Sequence, residues 1–383
     1  MKIAFDAQLL IKGDKTGIGW CAENILMRMP QYLENTYQLN YFSLGYTVEQ
    51  LDNVHKYTTF GYQINECTWF HHTLYRMMWN FFYVPYSFFF RKPADVTLFF
   101  NYVIPPGVKG KKIAIVYDMA YKAYPETVRK RTRRLLEIAL KKSCRRADHI
   151  LTISEFSKKE IIKYLNIPED KITIMPCGVD TTLYHEKYTD EDIDRVCKKY
   201  RIQGVYLLYL GTLEPRKNIV RLLKAYAQLK QKISDTPKLV LAGRKGWMYD
   251  EIFEIVNSLN LMSDIIFTGY VDAEDAPILI KGAMVFLFPS IYEGFGMPPL
   301  EAMACGTPVL TSNTSSLPEV VGDAGVLVDP FSVDSIKDGM EKLINSKELR
   351  MELSNKGLVR SKNFSWDVST EVFHKVIQNN LGK

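Results

Sequence analysis

Paired cysteines are missing from this chain: Cys21, Cys67, Cys144, Cys177, Cys197 and Cys305 are scattered, with no C-x-x-C pair and no histidine at metal-ligand spacing. Neither a zinc site nor a disulfide framework is expected, and reduced thiols are the simpler reading. A signal peptide is not expected either, because the opening Met1 to Asp6 has only a short apolar run ending on an acid and reads as a first strand. The most apolar segment, Met77 to Phe90, is 14 residues long and interrupted by Asn80, Pro85 and Ser87. Spanning a bilayer takes about 20 apolar residues, so a cytoplasmic protein is expected, at most peripheral at the inner face of the cell membrane. Lys plus Arg exceed Asp plus Glu by only 49 against 43, too small an excess for a nucleic-acid partner. Repeats of 20 to 50 residues and low-complexity tracts are also absent.

What is present is a chain of 383 residues with 47% hydrophobic and 13% aromatic residues, enough for two or three domains with full cores. Short apolar strands alternate with amphipathic helices, which predicts an α/β protein with parallel sheets. Lys2–Phe5, Leu98–Phe100, Ile113–Val116, His149–Ile153 and Ile172–Met175 form one predicted set of strands. Tyr206–Leu210, Lys238–Ala242, Ile265–Thr268, Val285–Phe288, Pro308–Thr311 and Val326–Val328 form a second. The polar stretch from Tyr184 to Gln203 separates them. The predicted division is residues 1–184, joined by a last helix at about 366–383 that crosses back, and residues 185–365.

Ligands of doubly wound sheets bind at the carboxyl ends of the strands, so the loops there are where chemistry is sought. After the first strand come Gly17 and Gly19 in Thr16-Gly17-Ile18-Gly19-Trp20, ahead of a helix predicted to start near Cys21. Two glycines let backbone N–H groups approach an oxygen-rich ligand, although the same pattern serves in ordinary turns, and the third glycine of a dinucleotide site is missing. The first strand of the second set runs into Gly211-Thr212-Leu213-Glu214-Pro215-Arg216-Lys217-Asn218. Adjacent cations at a helix start oppose the helix dipole, which points to a compensating anion such as a diphosphate. The most informative stretch is Ser290-Ile291-Tyr292-Glu293-Gly294-Phe295-Gly296-Met297-Pro298-Pro299-Leu300-Glu301, followed by Ala302 to Val309. It reads as a glycine-rich loop, a helix opened by proline and closed by Gly306, and two carboxylates positioned to bracket a ligand.

Glu293 and Glu301 in that setting resemble the E-x7-E signature of retaining glycosyltransferases of family 4. Thr16–Trp20, Thr152–Ser157, Pro176–Asp180, Gly211–Asn218 and Phe364–Trp366 resemble that family's other landmarks and occur in its order, so the resemblance covers nearly the whole chain. Together they specify the family better than the sugar. The resemblance implies a GT-B fold, two Rossmann-like doubly wound domains facing a central cleft, with the acceptor on the first and a nucleotide diphosphate sugar on the second. It implies that Glu293 lies beside the donor sugar and that Glu301 binds the ribose hydroxyls. By the same resemblance Gly294, Phe295, Gly296 and Met297 offer amides to sugar and diphosphate, while Arg216 and Lys217 neutralise the leaving group. Gly17, Gly19, Gly211 and Thr212 join the donor site, and the base meets backbone around Gly243 and Gly269 to Val271, including Tyr270.

No metal and no cofactor are expected, the nucleotide sugar being a co-substrate and an Asp-x-Asp motif being absent. Thr212 stands where many relatives have Arg, Cys177 where they often have Asn, and Tyr117-Asp118 where many have His-Asp. A tyrosine is no base at neutral pH, which leaves Asp118 as the candidate near the acceptor.

On the acceptor side, Thr127–Arg146 holds nine basic residues and one acid, Glu137. Val128, Thr132, Leu135 and Ala139 are read as its apolar face, and the basic face suits either water or anionic lipid. The rings of Met77 to Phe90 suit a core helix or a rim for a lipid-linked glycan. The expectation is a metal-independent, retaining hexosyltransferase of surface polysaccharide synthesis. GDP-mannose is the favoured donor, ahead of a UDP-hexose or dTDP-rhamnose, with a glycan or lipid-linked glycan as acceptor. Rival readings are a glycogen-synthase-like polymerase, a nucleotide-sugar epimerase and a non-catalytic nucleotide-sugar-binding subunit.

Overall fold

The computed structural model describes residues 1–11, 13, 17–79, 82–247 and 249–381. The chain divides into two compact units, Met1–Cys177 with Trp366–Lys383, and Gly178–Ser365.

Among the described residues the first unit holds strands β1 (Lys2–Asp6), β2 (Thr36–Phe42), β3 (Gln63–Cys67), β4 (Val96–Phe99), β5 (Lys111–Ile115), β6 (His149–Thr152) and β7 (Ile172–Ile174). They form one parallel sheet in the order β3-β2-β1-β4-β5-β6-β7. Ile3, Ala4 and Phe5 of the central strand are fully buried, as are Leu98, Ile113 and Ile150. That two-sided burial is why these strands read as unbroken apolar runs. β2 and β3 escaped the sequence reading because Gln38, Asn40 and Asn65 interrupt their runs. All three are buried, and Gln38 Nε2 and Asn65 Nδ2 both donate to Asn40 Oδ1, at 2.6 and 2.9 Å. A polar residue can occupy a sheet interior when a partner across the strand satisfies it, and no linear pattern announces that partner.

Two expectations for this unit change. The basic helix runs from Lys130 to Arg146, and its buried residues are Ala139, Leu140, Ser143 and Cys144, with Leu136 packed on the core, whereas Thr132 is exposed. Its core-facing stripe is therefore Leu136, Ala139, Leu140, Ser143 and Cys144; of the expected face, Ala139 is buried and Val128 packs on the core ahead of the helix, but Thr132 does not. Met77 to Phe90 is not one helix: a helix ends at Met78, and a four-residue turn follows at Tyr86–Phe89. Pro85 is the N-cap of that turn and disfavours helix at Val84 before it. Tyr86, Phe89 and Phe90 enter the core while Met77, Phe82, Tyr83 and Phe88 stay exposed. Asn80 and Phe81 lie outside the described residues.

The last helix, Trp366–Leu381, packs on the helix Gly17–Arg28 through the Arg28–Asp367 pair at 3.0 Å, while His374 stacks on Tyr32 at 3.7 Å between centroids. Ser369 Oγ also donates to the Pro176 carbonyl at 2.5 Å.

Among the described residues the second unit carries β8 (Tyr206–Leu210), β9 (Lys238–Ala242), β10 (Ile265–Gly269), β11 (Val285–Phe288), β12 (Val309–Ser312) and β13 (Gly325–Val328). This parallel sheet is ordered β10-β9-β8-β11-β12-β13. The order reverses between β8 and β11, and the loops leaving those neighbours open on the crevice where such sheets bind ligands. The polar stretch read as a divider belongs to this unit, whose first crossing lies between Cys177 and Gly178, ahead of Tyr184. It folds as the helix Asp190–Lys199, started by a Thr189–Asp192 capping box, and Lys199 Nζ donates to Asp272 at 2.7 Å and Asp275 at 2.5 Å.

Glycine is required where the ends of β8 and β9 converge. Gly243 has φ +141°, and a Cβ placed on it would lie 2.0 Å from the Gly211 carbonyl oxygen. Gly243→Ala should lower the stability of this unit by about 2 kcal/mol or more, read as a drop in urea midpoint at constant slope. An unchanged midpoint would refute the close-packing account.

Candidate active site

Two neighbouring strands bring the charged groups together. After β8 a single turn, Pro215–Lys217, ends on Asn218 in the left-handed conformation at φ +63°. Asn218 Nδ2 donates to the carbonyls of Pro289 at 3.0 Å and Pro330 at 2.7 Å, tying this turn to the segments after β11 and β13. Arg216 and Lys217 are thereby aimed at the loop that follows β11.

Glu293 in that loop receives both cations. Its Oε2 accepts from Arg216 Nη1 at 2.7 Å, and its Oε1 accepts from Lys217 Nζ and Ser290 Oγ, each at 2.6 Å. Arg216 also donates to the Tyr292 carbonyl at 2.7 Å and to Glu214 at 3.0 Å, and Lys217 lies over the Phe288 ring at 4.8 Å. Glu293 and Lys217 are buried, at 8% and 9% exposure. Burial pushes the Glu293 carboxyl up, but Arg216 and Lys217 more than offset it and hold it at about 2, so it is ionised at every working pH. Desolvation lowers Lys217, with Glu293 acting against it. The cations near the helix Ile219–Lys232 thus already have compensating anions, Glu293 and Glu214, within the chain.

Glu301 is a carboxylate of another kind. It sits in the helix Met297–Ala304, where burial raises it to about 7 and only the Tyr184 side chain pulls the other way. Two acids eight positions apart in the same loop and helix are separated by about five pH units because one meets two cations and the other does not. The helix is introduced by Gly296 at φ +120°. Pro298 and Pro299 lack N–H groups, and Leu300 N is taken by the Gly296 carbonyl at 3.2 Å. A row of amides at the helix start is therefore unavailable to a ligand.

The hydroxyls that brace this loop were not singled out from sequence. Ser316 Oγ donates to the carbonyls of Glu293 at 2.9 Å and Phe295 at 2.7 Å, Ser315 Oγ accepts from the Glu293 amide at 3.1 Å, and Ser312 Oγ donates to the Ser290 carbonyl at 2.6 Å. The run Ser312 to Ser316, starting on the last residue of β12, was the available signal. Arg244 was also missed: its guanidinium stacks on Tyr270, 4.2 Å from the ring centroid, with Tyr270 55% exposed and Val271 buried. Gly211 and Gly243 continue the sheet, donating to the carbonyls of Ala242 and Gly269, and Thr212 is exposed beside them.

The remaining candidates lie in the first unit. Gly17 and Gly19 are in the first turn of the helix Gly17–Arg28, which starts four residues earlier than expected, and a Cβ on Gly17 would meet nothing within 4 Å. Thr16 lies outside the described residues. Asp118 Oδ1 accepts from the Ala120 amide at 3.0 Å. Tyr117 is 5% exposed, beside Cys21 and Cys177, and burial raises its phenol well above the usual value.

Residues 193–360 match the family described as Glycosyl transferases group 1, and residues 55–183 match Glycosyltransferase Family 4. The chain is 39% identical over 274 residues to O-antigen chain mannosyltransferase B of Escherichia coli, covering 70% of each protein. The chain belongs to the group 1 glycosyltransferases. This glycosyltransferase is also 28% identical to O-antigen chain mannosyltransferase RfbU of Salmonella typhimurium, over 79% of its own length and 78% of the relative's. It is 36% identical to the serotype-specific mannosyltransferase WbdA of Escherichia coli, of which it spans 27%. Its fold matches Anabaena Alr3699/HepE, solved with UDP and glucose, at a TM-score of 0.72 and 16% identity, covering 99% of this chain and 100% of that one. WaaG, a glycosyltransferase involved in lipopolysaccharide biosynthesis, matches at 0.71 and 17%, covering 98% and 99%. The fold of this hexosyltransferase is GT-B.

Two measurements test the electrostatics. Glu293→Gln leaves two cations facing a neutral amide and should destabilise the second unit by about 3–5 kcal/mol in urea unfolding; a loss below about 1 kcal/mol would refute a net attraction. The folded state holds the Glu301 proton more tightly than the ordinary value of 4.5 allows, up to about 7. Its contribution is therefore fully present below the unfolded value and lost as pH rises toward 7. Glu301→Gln should raise stability at pH 8 by roughly 1–3 kcal/mol and leave it unchanged at pH 4; equal effects at both pH values would contradict the assignment.

Proposed function

We propose that this glycosyltransferase moves mannose from GDP-mannose to a hydroxyl of a lipid-linked glycan during surface polysaccharide synthesis, with retention of anomeric configuration. The pairing of Arg216 and Lys217 with Glu293 at the switch point of the second sheet carries this reading, and the mannosyltransferase relatives favour the sugar. The second unit takes the donor and the first takes the acceptor.

The main electrostatic task is to stabilise the departing diphosphate. Arg216 and Lys217 do this without a metal or other cofactor, Lys217 keeping N–H donors beyond the one that Glu293 occupies. Glu293 stands in for the diphosphate charge before the donor arrives. When phosphate oxygens share the cations, its carboxylate is released to accept from sugar hydroxyls. Gly294 to Met297 supply amides to the sugar and diphosphate, and Glu301 accepts from the ribose hydroxyls. Tyr270, Val271, Gly243, Gly211 and Thr212 line the nucleoside end, and Asp118 orients the acceptor hydroxyl. Among the described residues no helix is long and apolar enough to cross a membrane. The basic helix Lys130–Arg146 makes a peripheral contact with anionic lipid on the cytoplasmic face.

A thermal-shift series with GDP, UDP and dTDP tests the donor, because a ligand at 100 times its dissociation constant stabilises by about 2.7 kcal/mol. GDP should give the largest shift, and a larger UDP shift would overturn the choice of nucleotide. Glu301 must be ionised to accept from both hydroxyls of a diol at once, so GDP affinity should fall as pH drops through about 7; Glu301→Gln should bind weakly at all pH values. Glu293→Ala should lower transfer by a hundredfold or more, roughly 3 kcal/mol of transition-state stabilisation, with a smaller change in GDP affinity. Near-normal transfer by that variant would contradict the role given to Glu293.

A further inference from the structure

The aromatic segment and the basic helix, separate in sequence, line one cavity of the first unit. It holds about 190 Å³ and is walled by Trp79, Phe82, Tyr83, Pro106, Lys142 and Arg146. Ile104 fixes the wall between them: its amide donates to the buried Ser143 Oγ at 3.0 Å, and its carbonyl accepts from Arg146 Nη1 at 2.9 Å. On the other side the Tyr86 amide donates to the Pro106 carbonyl at 2.8 Å. Trp79 leans on the core ring of Tyr75, 5.6 Å between centroids.

Three features of this cavity suit a charged ligand that is partly apolar. The Trp79 indole N–H is buried and has no hydrogen-bond partner among the described residues. Lys142 and Arg146 stand one turn apart, and among the described residues neither has an acid within 4.0 Å. The one acid of their helix, Glu137, pairs with Arg133 at 3.1 Å. Phe82 and Tyr83 are exposed at 67% and 76%, so apolar surface continues outward from the cations.

We propose that this cavity binds a phosphoryl group carried on an apolar chain. Lys142, Arg146 and the Trp79 N–H donate to the phosphate oxygens, for which a guanidinium and an ammonium are suited donors. The chain runs out over Phe82 and Tyr83. The volume is below the roughly 300–1,000 Å³ of pockets that enclose a whole small molecule, which fits a headgroup whose tail lies outside. A bare anion would have no use for the exposed rings, and an uncharged glycan none for two cations that have no acid beside them among the described residues. The isoprenoid nature of the chain rests on the lipid-linked acceptor proposed above.

The test titrates the full chain with farnesyl diphosphate, inorganic phosphate, and vesicles of phosphatidylcholine with phosphatidylglycerol, following tryptophan fluorescence and calorimetry. Farnesyl diphosphate should bind at least tenfold more tightly than inorganic phosphate. Lys142→Ala combined with Arg146→Ala should weaken it by about tenfold or more, and Trp79→Phe, which keeps a ring but loses the N–H, by about three- to tenfold. Because Arg146 also holds Ile104, Lys142→Ala alone serves if the double variant fails to fold. The GDP thermal shift should persist in all these variants, so a failure here is distinguishable from a failure of the donor assignment. Unchanged farnesyl diphosphate affinity in the variants would overturn the proposal. So would equal affinity for inorganic phosphate, which describes an anion patch, or binding to vesicles alone, which describes a membrane surface.

Discussion

Glu293 receives an arginine and a lysine delivered from the neighbouring strand, and the organisation of the second unit follows from the need to keep that carboxylate charged while buried. An isolated carboxylate in such a place would take up a proton. Two cations within 2.7 Å prevent this, but only if the turn after β8 and the loop after β11 are held in register. Asn218 does that from one side by donating to carbonyls beyond β11 and β13. Ser312, Ser315 and Ser316 do it from the other. The left-handed Asn218 and the hydroxyl-rich run from Ser312 to Ser316 hold one buried charge cluster in place.

Glu301 shows the same side chain under the opposite regime. With burial and no cation, it sits close to neutrality, where a small change in surroundings alters its charge. One motif thus supplies a permanently charged group that organises cations and a titratable group whose ionisation a ligand can set. Separating two acids by environment is how one fold obtains two chemical roles from one residue type.

The first unit distributes its charge differently. The chain's net excess is +6, yet Lys130–Arg146 alone carries more than that, against the single acid Glu137. Packing exposes most of these cations and places two of them beside rings of a segment some 60 residues away in the chain. The same aromatic segment splits its rings between core and surface, with Pro85 capping the short turn that carries Tyr86 and Phe89 into the core. Tyr117, in the place where many relatives carry histidine, is turned into the interior beside two thiols, so a conservative-looking position contributes packing.

Sequence alone was enough for the alternation of strands and helices, the two-sheet architecture, the family and the pairing of Glu293 with Glu301 in one loop and helix. These depend on local periodicity and on short motifs, which survive in one dimension. β2 and β3, the core face of the basic helix, the bracing by Ser312 to Ser316, the Arg244–Tyr270 stack and the cavity at Trp79 were decided only by tertiary structure. Each depends on a partner far along the chain: Asn40 satisfies Asn65, Glu293 answers Arg216 and Lys217, and Ile104 binds Ser143 and Arg146. A residue's own type reports how it prefers to be solvated, but only its neighbours in space decide whether a buried polar group is satisfied and which way a buried acid titrates.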